Sequence, residues 1–361
     1  MNNATLKSKS KRICIAALLL IGALALAACG ATNEGATNGS AAGGDSQAAA
    51  SGNGAATSGA AGEDEAGSEA NSADAAAADA EAGQWPRTIE HAMGELVLEE
   101  RPERVASVDI MGTDYLLALG FAPVVSEGFS TKARSPIFAE YAEGMDVVDL
   151  GGKTNLETLL EMDPQVIVMT SSGKGARFEE FDKLAPSVVI DFSLSAPDRL
   201  RKFAEVIGAE AKAEEVIADF EALKAEAVEA AKGHADETVL FLVSNGKDFT
   251  VVHPANFPIY YGEVGLKPVE GLPEDGKIGG RIGIEALSEF APDHIFIAEN
   301  RRQMNPDDPQ GLINIWTDNP VWNNLKAVQS GQVYSVDTLV GDTFFLGQVA
   351  GLQAIVEHLG S

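Results

Sequence analysis

The sequence predicts an α/β protein of two lobes joined by one long rigid helix, on three observations. Short apolar runs alternate with helix-like stretches in both halves of residues 85–361, the pattern of parallel sheets with crossover helices. Between the halves, Ala209 to Lys232 contains neither Gly nor Pro. A stretch of the first half can be laid over a stretch of the second at a constant offset of 128 residues.

Residues 1–28 are predicted to be a lipoprotein signal peptide. Lys7, Lys9, Lys11 and Arg12 precede an uncharged run, Ile13 to Ala28. Its 16 residues suit a signal core better than a membrane span, which needs about 20. The run ends in Leu26-Ala27-Ala28-Cys29, which resembles the bacterial lipobox: small residues expose the backbone to a peptidase, and the Cys29 thiol takes the lipid. The only other cysteine, Cys14, lies inside the segment expected to be removed, so an internal disulfide or a thiol metal site is excluded from the mature protein. Residues 29–84 are predicted to be a disordered acidic tether. Residues 30–84 carry nine acids, no Lys or Arg and almost no large apolar side chain, so they cannot bury enough surface to offset the entropy of ordering. A Gly-rich coil of this length reaches about 40 Å root-mean-square. The expected location is the outer face of the cytoplasmic membrane, reached through the lipid alone.

The remaining 277 residues hold 45 acids against 22 Lys and Arg, which makes nucleic acid and anionic lipid poor partners. In the first lobe, 85–194, Val105–Asp109, Val147–Leu150, Val166–Thr170 and Val188–Phe192 read as buried strands, with helices at Asp114–Leu119, Leu156–Met162 and Arg177–Leu184. The connecting helix, 195–234, begins at Ser195 as cap with Pro197 in the first turn, breaks at Gly208 and then runs through the Gly- and Pro-free stretch. Those 24 residues span about 36 Å, the length of a whole domain, which limits hinge motion. In the second lobe, 235–361, Val239–Ser244, Lys267–Glu270, Ile295–Ala298 and Val333–Val336 read as strands. The repeat lays Leu156-Glu157-x-Leu159-x-Glu161-Met162-x-Pro164-x-x-Ile167 over Ile284-Glu285-x-Leu287-x-Glu289-Phe290-x-Pro292-x-x-Ile295, a short helix, a stopping proline and a strand in each copy.

Several motifs then carry a resemblance. His91-x-Met93-Gly94-Glu95 with Arg101-Pro102-x-Arg104-Val105, Asn155-Leu156-Glu157 with Asp163-Pro164, Leu184-Ala185-Pro186, and Asn319-Pro320-Val321-Trp322 through Gly331-x-Val333-Tyr334 are similar to segments of the substrate-binding proteins of iron-siderophore and cobalamin importers. The resemblance covers nearly all of 87–361. It implies two Rossmann-like lobes of the class III periplasmic binding protein fold, with a ligand in the cleft between them and an ABC permease as partner. It also implies one acid per lobe that meets arginines of the permease, and the repeat-matched Glu157 and Glu285 fall at those places.

For the siderophore branch the resemblance implies basic residues at the lobe rims, set on loops beyond the strand ends. Lys174, Arg177, Arg281, Arg301 and Arg302 are the ligand-binding candidates by position, with Lys132 and Arg134 in an earlier loop. Arg301, after the Ile295–Ala298 strand, is the expected leading contributor, because the family often has an arginine there. Asn256 stands where catecholate binders commonly have an arginine, which weakens the case for a strongly anionic catecholate, and a less negative hydroxamate or mixed complex fits as well. Tyr260, with Tyr261, Phe344 and Phe345, is a candidate apolar wall. The function expected is capture of a ferric siderophore for an importer, with haem or cobalamin as the alternative ligand and a secreted α/β enzyme as a remote alternative. No cofactor, catalytic residue or protein metal site is expected. The five histidines, 91, 234, 253, 294 and 358, show no ligand spacing, and no nucleophile elbow or complete P-loop is present; Gly151-Gly152-Lys153-Thr154 lacks the first glycine.

Overall fold

The computed structural model describes residues 85–152, 154–272, 280–300, 302–305, 307 and 311–360. The predicted signal peptide with Cys29, the tether and Arg301 lie outside these residues. The described chain opens with an antiparallel hairpin, β1 (Arg87–His91) and β2 (Gly94–Leu98), whose turn uses the positive φ of Gly94.

The first sheet has five parallel strands: β3 (Val105–Ser107), β4 (Val125–Ser126), β5 (Val148–Asp149), β6 (Val166–Thr170) and β7 (Ser187–Ile190), in the order β5-β4-β3-β6-β7. Helices α1 (Ile110–Ala118), α2 (Pro136–Tyr141) and α3 (Leu156–Glu161) connect the first four strands. The chain winds outward from β3 in one direction and returns at β6 to wind in the other. The switch point therefore lies between β3 and β6, where open α/β sheets take ligands.

The connection is α4 (Ala196–Ile207) and α5 (Glu210–Lys232). The Ser195 hydroxyl caps α4 by accepting the Asp198 N–H, proline occupies its first turn, and Gly208 closes it in the left-handed conformation, φ 65°. Leu200, Phe203, Ala204 and Ile207 form the buried stripe of α4; Ile217 and Phe220 are buried on α5.

The second sheet is ordered β10-β9-β8-β11-β12 from β8 (Val239–Ser244), β9 (Phe249–Val251), β10 (Arg281–Ile282), β11 (His294–Glu299) and β12 (Val333–Ser335). It is mixed: β8, β11 and β12 are parallel, whereas β9 runs antiparallel to both of its neighbours, β8 and β10. A tight turn explains the difference from the expected all-parallel sheet. Gly246 takes φ 79° and the Asn245 N–H donates to Asp248 O at 2.9 Å, so the chain doubles straight back without a crossover. The expected strand at Lys267–Glu270 is reduced to one bridge, Thr238 to Lys267. α6 (Ile284–Phe290) precedes β11, and α7 (Phe345–Leu359) follows β12.

The internal repeat has a structural counterpart. Leu159 and Leu287 are both fully buried, and Asp163 and Ala291, at the same offset, take φ 45° and 44° just before Pro164 and Pro292. Each copy ends its helix with one left-handed residue and bars further helix with proline. One apolar core runs through both lobes and the connection. Tyr115 of α1 stacks on Phe203 of α4 with centroids 5.1 Å apart and meets Phe345 of α7, which in turn packs on Phe220 of α5. Fully burying side chains of this size contributes roughly 1.5–3 kcal/mol each.

Candidate ligand site between the lobes

A hollow of about 650 Å³ opens where β7 leaves the first sheet. Phe192 to Pro197 form one wall, Phe220, Glu221 and Lys224 of α5 the floor, and Ala255 to Ile259 of the second lobe the facing wall, with Thr343 and Gln348 at the end. The size suits a small-molecule complex. The facing wall leads into a single π-helical turn, Ile259–Glu263, a local irregularity frequent at functional sites.

Two cations line this hollow that loop position alone does not reveal. Arg199 sits on the buried side of α4, 5% exposed, with its guanidinium 4.1 Å from the Phe192 ring centroid and 5.5 Å from that of Tyr115. Its Nη1 donates to Phe192 O at 3.4 Å, while Nε is buried with no protein partner. Its sequence signal is a charge on the apolar stripe of an amphipathic helix. Lys224 is held by Glu221 at 2.7 Å and Glu263 at 3.0 Å, which offset its charge within the hollow.

At each switch point a polar side chain ties two strand-end loops together. In the first lobe Asp109 accepts N–H bonds from Gly112 and Thr170, both at 2.7 Å, and from Lys174 at 3.4 Å, plus the Thr170 hydroxyl at 3.1 Å. Burial pushes its carboxyl pKa up, against the pull of these bonds. In the second lobe Asn300 Nδ2 donates to Asn245 Oδ1 at 2.6 Å, and Asn245 Nδ2 donates to Asp248 at 2.7 Å.

The candidates chosen from the sequence are not gathered in one place. Asn256 lines the hollow. Lys174 stands at the first switch point, paired with Glu127 at 3.2 Å. Arg177 forms a two-pronged pair with Glu180, at 2.7 and 2.6 Å, and borders a different hollow with Met93, Phe178 and Lys183. Arg281 is exposed on the edge strand β10 and pairs with Asp248 at 3.2 Å. Arg302 is exposed, its N–H bonded to Asn300 Oδ1 at 3.0 Å. Arg134 is half-buried, its Nε without a partner, beside Asp337 and Met304.

Tyr260 needs correction as a ligand wall. It has no exposed surface, stacks on Phe241 at 4.6 Å and donates its hydroxyl to Gly347 O at 3.2 Å. It fills a groove on α7 that exists because residue 351 is glycine: a Cβ there would lie 2.5 Å from the Tyr260 ring. Tyr261, Phe344 and Phe345 are likewise buried, and the apolar lining comes instead from Phe192, Leu194, Phe257 and Pro258. Glu157 and Glu285 are both exposed at the second position of their helices, α3 and α6.

The comparisons with known proteins agree with this architecture. The chain is 26% identical over 255 residues to the iron(3+)-hydroxamate-binding protein FhuD of Bacillus subtilis, covering 68% of this chain and 77% of that protein. It is 26% identical over 271 residues to the probable siderophore-binding lipoprotein YfiY of the same organism, covering 71% and 82%. The crystal structure of the iron-uptake system-binding protein FeuA from Bacillus subtilis superimposes with a TM-score of 0.64 at 23% identity, over 76% of this chain and all of that one. Residues 105–338 match the periplasmic binding protein family, and with its two α/β lobes and the hollow between them the chain belongs to that family.

Proposed function

We propose that this protein is a lipid-anchored, extracytoplasmic binding protein that holds a ferric siderophore in the inter-lobe hollow and delivers it to an ABC permease. The observation that carries the reading is the hollow itself, walled by both lobes and floored by the helix that joins them. The relatives named for hydroxamate and siderophore binding support the ligand class. Cys29 is the proposed lipid attachment point, 29–84 the tether, and Glu157 with Glu285 the permease contacts.

The charge pattern supports a ferric complex of low net charge, such as a tris-hydroxamate. Of the two cations that line the hollow, Lys224 is already paired with Glu221 and Glu263, and Arg199 is buried against the Phe192 and Tyr115 rings. Lys174, Arg177 and Arg281, elsewhere on the lobes, are each paired with a carboxylate too. A strongly anionic tris-catecholate would have to displace those acids or be held without them, at the cost of desolvating both partners. Arg301 is the proposed main cation for the ligand. Charge-assisted bonds from it to hydroxamate oxygens are worth on the order of 1.5–3 kcal/mol, so Arg301→Ala weakens binding roughly ten- to hundredfold, and Arg302→Ala less.

The test is tryptophan quenching with a panel of ferric tris-hydroxamate, ferric tris-catecholate, ferric citrate, haem and cobalamin. Tightest binding is expected for the tris-hydroxamate. A preference for the tris-catecholate overturns the charge argument, and saturable binding of haem or cobalamin alone overturns the siderophore reading.

A further inference from the structure

At the opposite end of the second sheet from the strand-end loops, three potential metal ligands converge. His234 and Glu237 lie on the turn between α5 and β8, and His294 opens β11. The parallel pairing of β8 with β11, which sets His294 beside Val239, brings that turn against His294 although the two histidines are sixty positions apart. His234 Nδ1 lies 2.5 Å and His294 Nε2 lies 2.7 Å from the same oxygen, Glu237 Oε2. Among the described residues this is the only group of three or more His, Cys, Asp or Glu side chains whose ligand atoms all lie within 4.8 Å of one another.

The outer partners of the two rings fix which nitrogen carries the hydrogen when each ring is neutral. His234 Nε2 is 3.2 Å from Leu359 O, which can only accept, so Nε2 carries the hydrogen and the neutral ring presents a lone pair at Nδ1. The Tyr334 hydroxyl donates to Gln332 Oε1 and is left to accept from His294 Nδ1 at 3.2 Å. The neutral His294 ring then presents a lone pair at Nε2. In those neutral tautomers two imidazole lone pairs and a carboxylate oxygen face one another. Protons on the rings, or one metal cation in their place, hold such a group together. Each ring is also oriented through its other nitrogen, as metal-bound histidines are. Two nitrogens and one carboxylate suit zinc or a similar borderline divalent ion, with water as fourth ligand.

We propose that His234, Glu237 and His294 form a zinc-type metal site, remote from the ligand hollow, that clips the turn before β8 and the end of α7 onto β11. In a zinc site each of these donors lies about 2.0–2.2 Å from the ion. Glu237 is exposed and can turn.

The experiment uses the untagged protein, stripped with chelator and titrated with Zn²⁺ and Co²⁺. One ion per chain is expected, with a Co²⁺ ligand-field absorption and a melting temperature that rises with zinc as mass action requires. His234→Gln and Glu237→Gln, both at accessible positions, should each abolish stoichiometric uptake while circular dichroism and siderophore binding stay unchanged. Tyr334→Phe should weaken uptake about tenfold by removing an outer partner. Absence of saturable uptake by the unmodified protein overturns the proposal. Stoichiometric uptake that survives both single substitutions overturns it too, because the ion is then held elsewhere.

Discussion

Asp114 of the first lobe caps the last helix of the second: its buried carboxylate accepts the Phe345 N–H at 2.8 Å and the Leu346 N–H at 3.2 Å, at the start of α7. Phe344, the residue in the cap position of that helix, supplies no side-chain cap bond of its own. The tie spans more than two hundred residues and reinforces the shared aromatic core of Tyr115, Phe203, Phe220 and Phe345.

This cap makes stability depend on pH. Burial pushes the Asp114 carboxyl up to about 8, with Arg199 and the two N–H bonds pulling the other way. The folded state therefore keeps a proton that the unfolded chain has lost, from roughly pH 4 to 8, and unfolding is favoured as pH rises through that window. Asp114→Asn, neutral at every pH, should remove a slope of about 1.4 kcal/mol per pH unit. Urea denaturation at pH 5, 6 and 7 of the two proteins should give curves that converge or cross as pH rises. Parallel curves would show that Asp114 does not titrate there.

Gly173 is required by Asp109. A Cβ at this position would lie 2.7 Å from the Asp109 Cγ and 2.8 Å from the Thr170 hydroxyl, inside the knot that joins the loops after β3 and β6. Gly173→Ala should cost about 1–3 kcal/mol by overpacking and loosen the Lys174 loop. A denaturation midpoint unchanged from the unmodified protein would mean that the loop accommodates the methyl without strain.

Ala291 holds φ 44° with a Cβ, which costs about 1–2 kcal/mol relative to glycine. Ala291→Gly should stabilise by up to about 1 kcal/mol, after the larger chain entropy of glycine is set against the relieved strain. Asp163→Gly, at the equivalent place, should gain less. The Asp163 side chain pairs with Arg104 at 3.0 Å, an exposed bond worth about 0–1 kcal/mol. Thermal unfolding of the two variants side by side checks the order, and destabilisation by Ala291→Gly would refute the strain argument.

For Glu157 and Glu285 the expected phenotype separates capture from delivery. Replacing both with Ala should abolish siderophore-dependent growth while the purified protein keeps its affinity. Both are exposed at helix starts, where a carboxylate also favours the positive end of the helix by about 0.3–1 kcal/mol, so only a small loss of stability is expected. Lost affinity in the purified double variant would move them from docking to ligand contact.

Local chemistry made much of this molecule legible in the sequence. Strands β6 and β8 lie at their expected bounds, Val166–Thr170 and Val239–Ser244, because unbroken apolar runs of that length have few other solutions. Ser195, Pro197 and Gly208 place α4 because each satisfies a specific backbone need at a helix end. The repeat was readable for the same reason, since a leucine, a left-handed residue and a proline act within a few positions of one another. Tertiary structure alone decided what depends on distant partners. The burial of most of α7 leaves only Gln353 and Glu357 exposed, too narrow a polar face for a helical period to mark clearly. Tyr260 turned inward because Gly351, far along the chain, opens a groove for its ring. Arg199 came to face the hollow because Phe192 and Tyr115 accept its guanidinium from two different elements. His234 and His294 share no spacing along the chain, and they meet only because β8 and β11 pair in parallel, since strand pairing is set by the whole sheet and not by any short segment.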